Sequence, residues 1–165
     1  YLNFSLFHLF SIVLTTLSMI EKTRSVGFVC LANYCRSPVA KMILKNKFKH
    51  SLRVDSAGIN PMISAGMDSR SVDFLKKNNI AFEMHSPKKI DKNFLNSSDV
   101  IFAMDITVLM HLNKSYKNFI HKFKLFTHQH GNLQIKDPYR LSEEEYKNVM
   151  DKIKFVVDSF QLEEL

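Results

Sequence analysis

The sequence predicts an α/β protein, a three-layer αβα sandwich built on a four-stranded parallel sheet. Three observations carry that expectation. Short apolar runs alternate with longer amphipathic stretches, the arrangement of strands and crossover helices. The first and third runs are largely apolar, as strands covered on both faces are. Capping residues recur where helices should begin. Residues 25–30 (SVGFVC) form the first run and end at a loop. Ser37 and Pro38 read as an N-cap and first helical residue. They open a helix with Val39, Met42 and Ile43 on one face that ends near residue 50. Residues 52–57 read as the second strand, and 58–67, with two glycines and a proline, as a loop. Asp68 or Ser69 caps a helix carrying Val72 and Leu75, which stops at Asn78 and Asn79. Residues 99–104 (DVIFAM) form the third run, and Asp105 caps a helix with Val108, Leu109 and Leu112. Residues 122–126 are a weaker fourth strand. Ser142 and Glu145 form a capping box. Val149, Ile153, Val156, Val157 and Phe160 then repeat at helical spacing. Ligands of such folds bind beyond the carboxyl ends of the strands.

A chain of 165 residues makes one domain and buries roughly two-thirds of its unfolded surface, so neither a disulfide nor a metal is needed for folding. The net charge of +7 favours anionic partners without choosing among them. Cys30 and Cys35 are the two cysteines. With no second cluster, a zinc ribbon is excluded, and free thiols suit a reducing, cytoplasmic compartment. Residues 1–20 carry no charge and match the length of a membrane span, about 20 residues. Yet Asn3, Ser5, His8, Ser11, Thr15, Thr16 and Ser18 are polar, and no basic leader or small-residue cleavage pattern precedes Glu21. Residues 1–18 are therefore expected to be an upstream extension, with Met19 a natural start and the domain spanning 19–165. A membrane anchor is the runner-up, and the only expected route to membrane contact. His111, His121, His128 and His130 lack ligand spacing, so no metal or other cofactor is expected. Lys41, Lys45, Lys47 and Lys49 read as a solvated helix face. They lack the interleaved aromatics of a nucleic-acid surface. Glu143, Glu144 and Glu145 suit the positive end of a helix dipole.

Cys30-Leu31-Ala32-Asn33-Tyr34-Cys35-Arg36 lies between the first strand and the first helix. Successive backbone N–H groups of such a loop can cradle an anion, and the helix N-terminus adds partial positive charge. Arg36 can clamp two phosphate oxygens with a planar fork that lysine lacks. The same field favours the thiolate of Cys30, placing a nucleophile beneath a bound phosphate. The competing reading of Cys30 is a packed thiol at a strand end. A phosphocysteine route also needs an acid for the leaving oxygen and a base for water. Asp137, in Asp137-Pro138-Tyr139 before the last helix, is the candidate, and Tyr139 could flank a flat substrate. Alone, an Asp-Pro pair also starts turns.

This loop with Ser37-Pro38 behind it and Asp137-Pro138-Tyr139 downstream resembles the low-molecular-weight protein tyrosine phosphatases. Asp55-Ser56-Ala57-Gly58 is similar to the family's DSAG segment, and Gly66-Met67-Asp68-Ser69-Arg70 resembles its G-x-x-D-x-R helix start. Met84-His85, ahead of Lys88-Lys89, stands where the family has a histidine followed by Ala-Arg. Residues 99–105 (DVIFAMD) look like its third strand and turn. The resemblance implies a flavodoxin-like fold with a phosphate-binding loop after the first strand. It implies Cys30 as nucleophile, Arg36 as clamp and Asp137 as acid, then base. Asn33, Ser37, Ser56 and His85 would hold the loop and keep Cys30 ionised. Cys35 would trap oxidised Cys30 as a reversible disulfide. There are three departures. Ala32 replaces a glycine, which strains the loop only if φ is positive there. Arg140 replaces a second tyrosine and adds a cation at the pocket mouth. Tyr34 replaces an aliphatic residue and supplies a wall beside Tyr139.

The implied activity is metal-independent hydrolysis of phosphotyrosine in proteins, and of small aryl phosphates, by a monomer working through a phosphocysteine. A protein-arginine phosphatase is the nearest alternative, although related enzymes of that kind carry a small threonine where Tyr34 stands. A thioredoxin-coupled arsenate reductase needs further cysteines, and none follows Cys35. A phosphate-binding pseudophosphatase is disfavoured by the joint presence of Cys30, Arg36 and Asp137.

Overall fold

A computed structural model describes residues 24–63, 65–131 and 133–162. The expectations for residues 1–18 and Met19 lie outside them. Four parallel strands, β1 (Arg24–Cys30), β2 (Leu52–Gly58), β3 (Val100–Ala103) and β4 (Phe123–Leu125), form one sheet in the order β2-β1-β3-β4. Five α-helices cover it: α1 (Arg36–Phe48), α2 (Ser69–Lys77), α3 (Lys92–Ser97), α4 (Ile106–Ser115) and α5 (Glu143–Ser159). The expected three layers are present. Alternation along β1 sends Val26, Phe28 and Cys30 to the core shared with α1, α2 and α5. Val29 points to the opposite core, shared with α3 and α4. β3 divides likewise, Phe102 facing the first core and Ile101 and Ala103 the second. Gly27 admits α3, because a Cβ there would lie 2.7 Å from the Phe94 ring.

The chain leaves β1 for β2 on one side and later returns to β3 on the other. That reversal opens a crevice at the carboxyl ends of β1 and β3, where doubly wound sheets bind ligands. Asp68, Asp91, Asp105 and Ser142 cap α2 to α5 through their side chains, and Ser142 with Glu145 forms the expected capping box. The first helix differs from expectation. It starts at Arg36, Cys35 is its uncapped N-cap, and Ser37 lies inside the first turn. The Ser37 hydroxyl is drawn instead to Cys30 and Asn33. Pro38 stays within the first turn, where a missing N–H costs nothing. Among the described residues, no helix is long and apolar enough to cross a membrane.

The expected lysine face is only partly solvated. Lys41 and Lys45 pair with Glu83 at 3.3 and 2.6 Å. Lys47 donates to the carbonyls of Val157, Asp158 and Phe160, closing the C-terminal end of α5. A cation is favoured at that end of a helix dipole.

Candidate active site

The loop from Leu31 to Cys35 turns inward because its outer side is occupied. Carbonyls of Cys30, Leu31 and Ala32 accept from the N–H groups of Ile59, Asn60 and Met62 at 3.1, 2.8 and 3.1 Å. Carbonyls bound outward in this way are what an anion cradle of loop N–H groups requires. Asn33 takes the left-handed conformation, φ 49°, which asparagine tolerates better than other side chains. Ala32 is not among the positive-φ residues, so its methyl group brings no strain.

Asn33 is the hub of the loop. Its Nδ2 donates to Ser37 Oγ at 2.9 Å and to Ser56 Oγ at 3.0 Å, and its Oδ1 accepts from Lys88 N at 3.0 Å. Its carbonyl lies 2.8 Å from His85 Nε2. A carbonyl only accepts, so that nitrogen carries the proton. Burial holds His85 below the usual histidine range, although the bond to Asn33 pulls the other way. The neutral ring is the form present at neutral pH. The four residues expected to hold the loop, Asn33, Ser37, Ser56 and His85, thus form one connected set.

Cys30 Sγ lies 3.0 Å from Ser37 Oγ and accepts from Asn33 N at 3.1 Å. The buried sulfur is thus held between the Ser37 hydroxyl and the loop backbone. Cys35 is different: its thiol donates to Asp68 Oδ2 at 3.7 Å. Burial first, then the Asp68 charge, push this thiol up to about 12 against the help of a bond to Tyr146.

Arg36 is only 2% exposed. Its Nη1 lies 2.5 Å from Asp105 Oδ2, and its Nη2 lies 2.9 Å from Asp137 Oδ2. Burial opposes its charge, but the Cys30 sulfur and the two carboxylates outweigh burial and raise its pKa. Asp137 Oδ1 meanwhile accepts from Tyr139 N at 3.2 Å, a turn bond typical of aspartate. Cys30 and Arg36, at the two ends of one loop, and Asp137, from a distant stretch of chain, converge on one cleft of about 220 Å³. Tyr34 and Tyr139 supply walls, and Leu31, Asn60 and Met62 complete the rim. Arg140 does not line it. A positive φ of 66° turns Arg140, and its guanidinium lies 5.3 Å from the Tyr139 ring. Among the described residues, no cluster of histidine, cysteine and carboxylate side chains could hold a metal ion.

The sequence reading missed Asp105 as a site residue and saw it only as a helix cap. Asn60 and Met62 were also missed, because nothing local marks a loop residue as the rim of a distant pocket.

A parallel α/β sheet with a Cys-x₅-Arg anion loop at its switch point defines a class of phosphate-binding α/β proteins. The profile of the low molecular weight phosphotyrosine protein phosphatases matches residues 25–165, and the chain belongs to that family. The low molecular weight protein-tyrosine-phosphatase Wzb of Escherichia coli strain K12 is 29% identical over 121 residues, 73% of this chain and 82% of its own. The structure of Vibrio vulnificus Wzb in complex with benzylphosphonate is 25% identical, with a TM-score of 0.77, covering 83% of this chain and 96% of that one. The YwlE arginine phosphatase of Geobacillus stearothermophilus shares the fold at 23% identity, with a TM-score of 0.75 over 82% of this chain and 88% of its own.

Proposed function

We propose that this family member hydrolyses phosphotyrosine in proteins, without a metal, through a phosphocysteine on Cys30. The observation that carries the reading is the meeting of Cys30, Arg36 and Asp137 in one cleft walled by Tyr34 and Tyr139. A phosphate dianion takes the loop N–H groups and the guanidinium of Arg36, whose fork matches two phosphate oxygens. Arg36 then releases Asp137 Oδ2. The Cys30 thiolate attacks phosphorus and the bond to the phenol oxygen breaks. The Asp137 carboxyl gives its proton to that oxygen, so a neutral phenol leaves. In the second half, Asp137 takes a proton from water as the water attacks phosphorus. The sulfur–phosphorus bond breaks, the thiolate returns and phosphate departs. The loop donors are in place before charge develops on the transferring group, so no reorganisation is needed at the moment of reaction. The aromatic walls favour a flat phenol over a flexible alkyl ester.

The test is phosphate release from a phosphotyrosine peptide in excess chelator. Wild type should turn over, Cys30→Ser should not, and Asp137→Ala should lose on the order of 10²–10⁴-fold, the usual worth of a positioned acid. Turnover that survives loss of the thiol would sink the phosphocysteine route. Faster release from a phosphoarginine peptide would replace tyrosine by arginine as the substrate, and binding of phosphate without turnover of either peptide would make the protein a phosphate-binding module.

A further inference from the structure

Two sets of bonds tie the phosphate loop to the segment that carries Asp137. The first is Arg36, which holds Asp137 and also the Ile135 carbonyl at 3.3 Å. That tie is lost at Asp137 when phosphate claims the guanidinium. The second runs through the start of α2 and involves none of Cys30, Arg36 and Asp137. Asp68 N donates to the Tyr34 carbonyl at 3.1 Å, and Asp68 Oδ2 accepts from the Cys35 thiol at 3.7 Å. Asp68 is therefore fastened to two residues of the phosphate loop. Arg70 then grips Asp68 with three donors: its backbone N to Oδ1 at 2.9 Å, Nε to Oδ1 at 3.2 Å and Nη2 to Oδ2 at 3.1 Å. Burial works to raise the Asp68 pKa, but these bonds overcome it and keep the carboxylate ionised.

The remaining nitrogen of Arg70 points the other way. Nη1 donates to the Leu141 carbonyl at 3.1 Å, four residues after Asp137. The Arg70 guanidinium lies 3.9 Å from the ring centroid of Tyr146, and the Tyr146 hydroxyl is 2.6 Å from Ser71 Oγ. One planar side chain thus joins the loop that binds phosphate to the turn and helix that follow the acid. A guanidinium suits this work because its donors are fixed in one plane.

We propose that Arg70, through Asp68, is a positioning residue for the general acid: it keeps Asp137 in register over the leaving oxygen once Arg36 has turned to the phosphate. The inference rests on the reading of Asp137 as the acid. Arg70 touches neither phosphate nor leaving group, so its removal should harm only the step that needs a placed proton.

The experiment compares kcat/KM for p-nitrophenyl phosphate, whose phenolate leaves with little help, and phenyl phosphate, whose phenolate must be protonated. Wild type, Asp137→Asn, Arg70→Met, Arg70→Lys and the Asp137→Asn/Arg70→Met double variant are measured, with inhibition by inorganic phosphate as the control. Arg70→Met should lower the phenyl phosphate value by on the order of 10²-fold, the loss that a misplacement of about 1 Å produces, and the p-nitrophenyl value by about tenfold less. Phosphate inhibition should not change, Arg70→Lys should recover part of the loss, and the double variant should be no worse than Asp137→Asn alone. Equal losses on both esters, or losses that multiply in the double variant, would overturn the proposal and leave Arg70 a structural residue. An Asp137→Asn variant without any preference for the better leaving group removes the acid assignment itself, a separate and visible failure. Should Arg70→Met not fold, Asp68→Asn is read on the same two esters: selective loss supports the clasp and unselective loss overturns it.

Discussion

Asp105 and Arg36 share an ion pair of 2.5 Å beneath the cleft, while the other oxygen of the same carboxylate caps α4 by accepting from Val108 N at 2.8 Å. One side chain thus starts a helix and orients the Arg36 guanidinium. Replacing Asp105 with asparagine keeps an oxygen for the cap and removes the charge that orients Arg36. A hydrogen bond to a charged group is worth about 1.5–3 kcal/mol, so kcat/KM should fall roughly 10- to 100-fold and phosphate inhibition should weaken in step. Asp105→Ala should lose no more activity, but its melting temperature should drop further, because the missing cap costs about 1 kcal/mol. Wild-type kinetics in Asp105→Asn would show that Asp137 alone orients the guanidinium.

Gly58 allows the backbone behind the phosphate loop to approach it. A Cβ there would lie 2.9 Å from Asn33 N and from Leu31 O, and neither backbone atom can yield without moving the loop. Gly58→Ala should therefore weaken phosphate binding and turnover out of proportion to its stability loss of about 1–3 kcal/mol. Gly27→Ala is the control. Its Cβ would meet the Phe94 ring on the far face of the sheet, so stability should fall with kinetics intact. Parallel losses of stability and activity in both variants would refute the local reading of Gly58.

The contrast between Asp105 and Ser37 shows what a sequence can carry here. β1 and β3 were legible as short, largely apolar runs, as doubly covered strands are, and three caps, Asp68, Asp105 and Ser142, were legible because capping is settled within three residues of chain. Ser37 was read as a cap by that local rule, and the rule failed because Cys30 and Asn33 compete for its hydroxyl across the loop. Helix α3 was not anticipated. It has six residues, of which only Phe94 and Leu95 are buried, too few to display a period. The meeting of Cys30, Arg36 and Asp137 in one cleft was legible as a motif with a downstream partner. The carboxylates of Asp105 and Asp137, 69 and 101 residues from Arg36, become its neighbours only through the sheet order. The reach of Lys47 to the end of α5 and of Arg70 to Leu141 is hidden for the same reason.

His85 makes stability depend on pH. Burial depresses its pKa in the folded protein, whereas in the unfolded chain it returns to its ordinary value near 6.5. Below that value the unfolded chain takes up a proton that the folded protein resists, so unfolding is favoured as pH falls. The contribution of His85 is full above about pH 6.5 and is lost as pH drops through the folded value. Urea unfolding of wild type and His85→Gln between about pH 7.5 and 5 should give a difference in stability that changes across this window. A constant difference would mean that His85 titrates alike in both states.

Cys35 is poised differently from Cys30 towards oxidation. On the reading of Cys30 as the nucleophile, a peroxide oxidises its sulfur to a sulfenic acid and is itself reduced to water. Condensation with Cys35 then forms the sulfur–sulfur bond and releases a second water, but only the Cys35 thiolate can attack. Burial and Asp68 hold that thiol up to about 12, so at neutral pH the trapping step is starved of nucleophile. The disulfide should therefore form slowly at pH 7 and accelerate about tenfold per pH unit above it, measured by quenching with an alkylating reagent and resolving the products by mass. Cys35→Ser should lose activity to peroxide at the wild-type rate, yet regain less of it with dithiothreitol after long exposure, since untrapped sulfenic acid proceeds to the irreversible sulfinic form. Asp68→Asn should speed disulfide formation by removing the negative charge beside the Cys35 sulfur. A trapping rate flat from about pH 7 to 9 would show that the loop opens before the sulfurs meet, and that the buried environment of Cys35 does not govern the step.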